Sequence, residues 1–156
     1  MKTSILKSIL AIFIVTISLV SCNDNDDVAS PSPPKPPPPG LPEFLYIEGG
    51  AASMSSVTDP IASASSKEIF GRNRANEVIK IKLTSLAVGT YTIGSGNEFT
   101  YTRPATSSPW VAGTGTITIT SNIGNLLSGT FDLPSGTSTL GINEVHGQFS
   151  DIFINP

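Results

Sequence analysis

Residues 77–84 read Glu-Val-Ile-Lys-Ile-Lys-Leu-Thr. Ile79, Ile81 and Leu83 fall on one face of an extended chain and Lys80 and Lys82 on the other, the period-two alternation of a strand with one buried side. Thr116-Ile117-Thr118-Ile119-Thr120 repeats the pattern, with Ile117 and Ile119 pointing inward. Working outward, Thr, Ile, Val, Phe and Tyr alternate between Gly, Asn and Pro breaks at 43–48, 67–72, 90–93, 98–103, 126–133 and 145–154. Asn73-Arg74-Ala75-Asn76, Gly94-Ser95-Gly96-Asn97, Asn122-Ile123-Gly124-Asn125 and Pro134-Ser135-Gly136 supply turn residues between these patterns. The expected fold is all-β: a single antiparallel β-sandwich of about eight strands over residues 43–156. A small closed β-barrel is the alternative, because both architectures bury one face of such a meander. Ser65-Ser66-Lys67-Glu68 carries a capping-box pattern, but Gly71 and the β-branched context limit it to about a turn.

The 156 residues are 38% hydrophobic and 13% charged, enough for one buried core and too few for two. A net charge of -3 lacks the basic excess that phosphate backbones require, so nucleic acid is not an expected partner. One Cys and one His exclude an internal disulfide, a four-Cys zinc site and a three-His catalytic zinc site. No metal or cofactor is expected. The domain itself carries -3, which names no charged partner by long-range attraction.

The N-terminal segment is read separately. Lys2 and Lys7 precede an apolar run, Ile9–Val20, whose twelve residues are too few to span a bilayer as a helix. Leu19-Val20-Ser21-Cys22 resembles the bacterial lipobox. That resemblance makes residues 1–21 a lipoprotein signal peptide and Cys22 the acylated residue, because only a thiol forms the thioether to diacylglycerol. Two or three acyl chains hold a protein to a membrane essentially permanently. Asn23-Asp24-Asn25-Asp26-Asp27 resembles the signal that sends Bacteroidota lipoproteins to the outer face of the outer membrane. Surface display is therefore expected, with the periplasmic face as the alternative. Read instead as a calcium loop, the segment fails on spacing, with Val28, Ala29 and Lys35 where ligands, a turn glycine and a bidentate Glu belong. Eight prolines between Pro31 and Pro42 favour an extended polyproline II tether, so residues 22–42 are read as anchor, acidic run and spacer.

Within the domain, Gly89-Thr90-Tyr91, Gly115-Thr116-Ile117-Thr118-Ile119-Thr120, Ser128-Gly129-Thr130-Phe131 and Gly147-Gln148-Phe149-Ser150-Asp151-Ile152 together resemble one small Bacteroidota lipoprotein family, a domain of unknown function. The resemblance covers roughly residues 43–156 and is less clear over the Ser- and Ala-rich stretch 51–66. It implies a β-rich surface lipoprotein and supplies no catalytic residues. Gly89 and Gly129 read as positions where a bulge or a close strand crossing needs a missing side chain.

No complete catalytic constellation is legible, so a non-catalytic binding or scaffold domain is expected. Its partners would be the membrane through the anchor, and another outer-membrane protein or a glycan. His146, the single histidine, has Asp132, Glu144 and Asp151 nearby in sequence, which leaves a hydrolase as a remote alternative. Its strand position reads as solvent-facing. Gly94-Ser95-Gly96 lacks the third glycine of a phosphate loop and reads as a hairpin turn. The glycan reading places Trp110 beside Phe99, Tyr101 and Arg103, where exposed rings could stack on a sugar. The competing fate for a lone indole is to plug the core, and its accessibility decides.

Overall fold

The computed structural model describes residues 40–49, 51, 53–105, 108–137 and 141–156. Cys22, the run Asn23–Asp27 and residues 1–39 as a whole lie outside the described residues. Ten strands follow in chain order: β1 (Glu43–Glu48), β2 (Ser55–Ser56), β3 (Thr58–Ser63), β4 (Glu68–Arg72), β5 (Val78–Lys82), β6 (Gly89–Thr92), β7 (Glu98–Thr102), β8 (Trp110–Ile123), β9 (Leu126–Thr137) and β10 (Val145–Asn155). The alternation at 77–84 is realised in β5, where Ile79 and Ile81 are buried and Lys80 and Lys82 exposed.

Pairing runs β3-β4-β5-β7-β8-β9-β10, and β10 returns to β3, so seven strands close a barrel. The fold is thus all-β with the barrel, the stated alternative, in place of the sandwich. The closing pair is also the one parallel pair among the described residues, Ile154 beside Ala62 and Asn155 beside Ser63. Two ring strands change neighbours along their length. The first half of β10 pairs with β1 and its end with β3, while β8 starts against β7 and continues against β6. Closure pairs each ring strand on both sides and leaves open edges at the outlying β2 and β6.

β3 corrects the reading of the Ser- and Ala-rich stretch. Pro60 lacks an N–H and would normally stop a ladder strand. Here the β3–β4 register shifts between Thr58 and Ile61, and Asp59 takes a positive φ of 48°. The bulge leaves Pro60 off the ladder. Two turn assignments also change. Pro134-Ser135-Gly136 lies inside β9, with Ser135 opposite Thr114, and Pro134 sits where the β8–β9 register shifts. Gly94–Asn97 is a tight turn closed by reciprocal backbone bonds of 3.0 and 2.9 Å, yet β6 and β7 do not pair with each other. Asn97, the one buried polar residue among those described, fixes this turn: it accepts from the Thr84 amide at 2.9 Å and donates to the Thr92 carbonyl at 2.9 Å.

The interior is filled by a chain of rings. Phe149 stacks on Phe44 at 5.8 Å, Phe44 meets Phe131 at 5.6 Å, Phe131 meets Phe99 at 5.2 Å, and Phe99 meets Trp110 edge-on at 5.9 Å. Ile69, Ile79, Ile81, Ile117, Ile119, Leu127, Leu133 and Ile152 surround them. Such offset and edge-to-face pairs each contribute about 0.5–1.5 kcal/mol beyond their buried area.

Strand crossings at this density demand glycine. Gly129 leaves room for the Thr118 carbonyl and the Phe149 ring, as the sequence reading expected, whereas nothing approaches Gly89. At Gly115 a Cβ would lie 2.3 Å from the Asp132 carbonyl oxygen, and φ is +129°. Gly115→Ala must therefore move backbone and is expected to cost about 2 kcal/mol, read as a lower urea midpoint at unchanged slope.

Candidate functional site

Four strand ends meet at one mouth of the barrel, and the sequence puts polar tips on apolar bodies there. Tyr46 of β1 and Tyr101 of β7 bury their rings edge to face at 5.6 Å and send their hydroxyls outward. The Tyr101 hydroxyl donates to Glu48 at 2.7 Å, and the Tyr46 hydroxyl donates to Glu77 at 3.1 Å. Arg103, just past β7, ion-pairs with Glu48 through a terminal nitrogen and with Glu77 through Nε at 3.1 Å. Its guanidinium carbon lies 5.5 Å from the Tyr101 ring centre. One cation thus ties the last residue of β1 to the residue just before β5.

Four members of the clamp, Tyr46, Glu77, Tyr101 and Arg103, have their proton affinities shifted by it. Burial would raise the Glu77 carboxyl, but hydrogen bonds from Tyr101, Asn73 and Tyr46 and the Arg103 charge outweigh it, and the net shift is downward. Burial pushes both phenols above their usual range, Tyr101 the further. The hydrogen bond to Tyr101 and the pairing with Glu48 strengthen the proton hold of Arg103. Such a set clamps the mouth.

Asn73 belongs to this clamp and also to a groove on the outer wall. Its Oδ1 accepts from the Ala75 and Glu77 amides at 2.9 Å each, and its Nδ2 donates to the Tyr46 hydroxyl at 2.9 Å. The β4–β5 turn is thereby fixed from inside. On its outer side Thr58, Asp59, Phe70, Arg72, Asn73, Arg74 and Asn76 line an open groove of about 410 Å3. Phe70 and Arg72 alternate onto the same outer face of β4, and Phe70 is 40% exposed. Arg72 and Arg74 are exposed and form no ion pair among the described residues. Asp59 and Asn76, both lining the groove, hold positive φ values of 48° and 61°.

The charge pattern singles out this wall. Residues 67–82 carry Lys67, Arg72, Arg74, Lys80 and Lys82 against Glu68 and Glu77, a net +3 in a domain of -3. The remainder of the domain is therefore -6. The modest overall charge conceals a basic wall on an acidic barrel. The wall is visible in the sequence once cations are counted by segment, whereas the aromatic stretch carries no such charge signal.

That aromatic stretch is corrected by burial. Phe99, Tyr101 and Trp110 are each 0% exposed, so no ring platform faces solvent there. The indole N–H donates to the Ile142 carbonyl at 2.9 Å, as a core plug requires. Arg103 reaches the mouth clamp rather than a sugar site. His146 stands between Asp132 at 2.8 Å and Glu144 at 3.3 Å, partly exposed, and no serine hydroxyl bonds it among the described residues. The Asp151 backbone amide donates to the Ser128 hydroxyl at 3.1 Å, and Asp151 does not join them. Among the described residues no group of three His, Cys, Asp or Glu is placed to hold a metal ion.

A family model described as a domain of unknown function, DUF6252, matches residues 55–152. The chain belongs to this family. The DUF6252 region runs from β2 into β10 and contains the whole groove, whereas Tyr46 and Glu48 of the mouth clamp come from β1, outside it. No curated protein and no solved structure matches the chain.

Proposed function

We propose that this DUF6252 protein is a lipid-anchored lipoprotein of the outer membrane, displayed on the cell surface, whose barrel works by binding rather than by catalysis. The observation that carries the binding half is the groove, where an exposed aromatic ring and two guanidiniums that form no ion pair among the described residues lie over a turn locked from behind. The packed ring chain fills the interior, so a ligand is met from outside. The anchor half rests on Leu19-Val20-Ser21-Cys22, the acidic run and the proline tether, in keeping with the Bacteroidota lipoprotein resemblance.

Two measurements test these halves separately. Cells fed an azide-tagged palmitate should label the native chain and not Cys22→Ala, which should appear in the soluble fraction. An unlabelled native chain overturns the anchor, and protection of the chain from protease added to intact cells moves it to the periplasmic face. For the groove, the full chain is immobilised and offered two fractions of its own envelope, polysaccharide and solubilised membrane protein. Arg72→Glu with Arg74→Glu should cut retention of the bound fraction at least tenfold, as expected when a cation pair facing an anionic ligand is reversed. Undiminished retention removes the groove as the working surface.

A further inference from the structure

We propose that the groove binds a carboxylated sugar within an acidic polysaccharide; this rests on the groove being the working surface and adds the class of its ligand. Three features converge on that chemistry. Arg72 and Arg74 flank the fixed Asn73, so two planar forks are presented from a rigid turn, and a guanidinium matches a carboxylate with two parallel hydrogen bonds. Phe70 lies two residues from Arg72 on the same strand face and offers a flat apolar surface to the C–H side of a pyranose ring. Asp59 lines the opposite, β3 side of the groove. A carboxylate there accepts from sugar hydroxyls and disfavours phosphate- or sulfate-dense polymers, whose charge it repels.

Size and surroundings agree. A groove of about 410 Å3 fits one or two sugar rings, and its openness lets a polymer enter and leave along the wall. Beyond Phe70 the wall continues with Lys80, which stands opposite Phe70 across the β4–β5 pair and is bound to Glu68 at 2.7 Å. Lys82 lies between Glu68 and Glu98 in register. Lys80 is thus paired, and Lys67 and Lys82, though exposed, do not line the groove, so the cations that face a ligand there are its two arginines. Discrimination therefore falls to Phe70, Arg72 and Arg74, with Asp59 setting which anions are turned away.

The test uses the full chain in mild detergent and three polymers: polygalacturonate, its methyl ester, and inorganic polyphosphate. Polygalacturonate should bind at least tenfold more tightly than either of the others. Arg72→Gln with Arg74→Gln should weaken it at least tenfold and Phe70→Ala several-fold, while Lys67→Gln with Lys82→Gln should change it less than twofold. Asp59→Asn should narrow the margin over polyphosphate, with unchanged circular dichroism excluding a folding defect. Equal binding of the methyl ester overturns the carboxylate requirement. Equal binding of polyphosphate, or equal loss in the lysine variant, replaces the sugar class with general polyanion attraction. If none of the three polymers binds while envelope material still depends on Arg72 and Arg74, the ligand class fails and the groove stands; if polygalacturonate binds regardless of the arginines, both fail.

Discussion

Trp110→Ala lowers the unfolding free energy by about 3–5 kcal/mol, the range for deleting a large buried aromatic. The side chain is 0% exposed, ends the interior ring chain against Phe99, and lies so close over Gly136 that a Cβ there would come within 2.3 Å of it. Its removal leaves a cavity that rigid strands on every side of a closed barrel can shrink only partly. It also leaves the Ile142 carbonyl without its donor, a further cost for a buried acceptor. Domains of this size are stable by about 5–15 kcal/mol, so the variant should sit near its folding threshold and accumulate as aggregate at 37 °C. Trp110→Phe separates the two contributions, keeping most of the ring volume while losing the N–H, and should cost about 1–2 kcal/mol. Indole fluorescence checks the premise directly: emission should be blue-shifted and poorly quenched by iodide in the native chain. Ready quenching would return the indole to the surface and revive the ring platform.

The parts of the fold that were legible are those whose pattern is local. Ile79, Ile81, Ile117 and Ile119 declare their faces within five residues, and a strand needs no more than that. β3 hid because its inward residues, Pro60 and Ala62, are the least strand-like of apolar side chains, and because its bulge at Asp59 breaks the two-residue period. Barrel closure hid for a different reason. It depends on Ile154 meeting Ala62, two residues whose local patterns carry no trace of each other. Pro134 misled in the opposite direction, since proline within a run normally marks a turn, and only the register shift beside it lets β9 continue. The mouth clamp shows the same limit. Glu48 and Arg103 lie 55 positions apart and each reads as an ordinary strand-end charge. The basic wall needed no tertiary knowledge, because five cations within residues 67–82 are countable.

The clamp supplies the second large effect. Arg103→Ala leaves Glu48 and Glu77 at the mouth with hydrogen bonds from neutral donors but no cation between them. Removing one partner from a fully buried ion pair costs about 3–5 kcal/mol; the Arg103 side chain is 33% exposed, so water screens part of this and about 2–3 kcal/mol is expected. The sign of the pH dependence distinguishes this cause from lost packing. Glu77 binds its proton less readily in the fold than its ordinary value of 4.5, so it stabilises the native state above that pH and the contribution fades as acid drives the proton on. In Arg103→Ala the downward pull of the guanidinium on Glu77 is gone, and that penalty is felt only while the Glu77 carboxylate is charged. The stability gap between native chain and variant should therefore be widest near pH 7 and narrow steadily below pH 4.5. A gap that stays constant down to pH 3 would show that Arg103 acts through its packing on Tyr101, and that the mouth is held by rings rather than by charge.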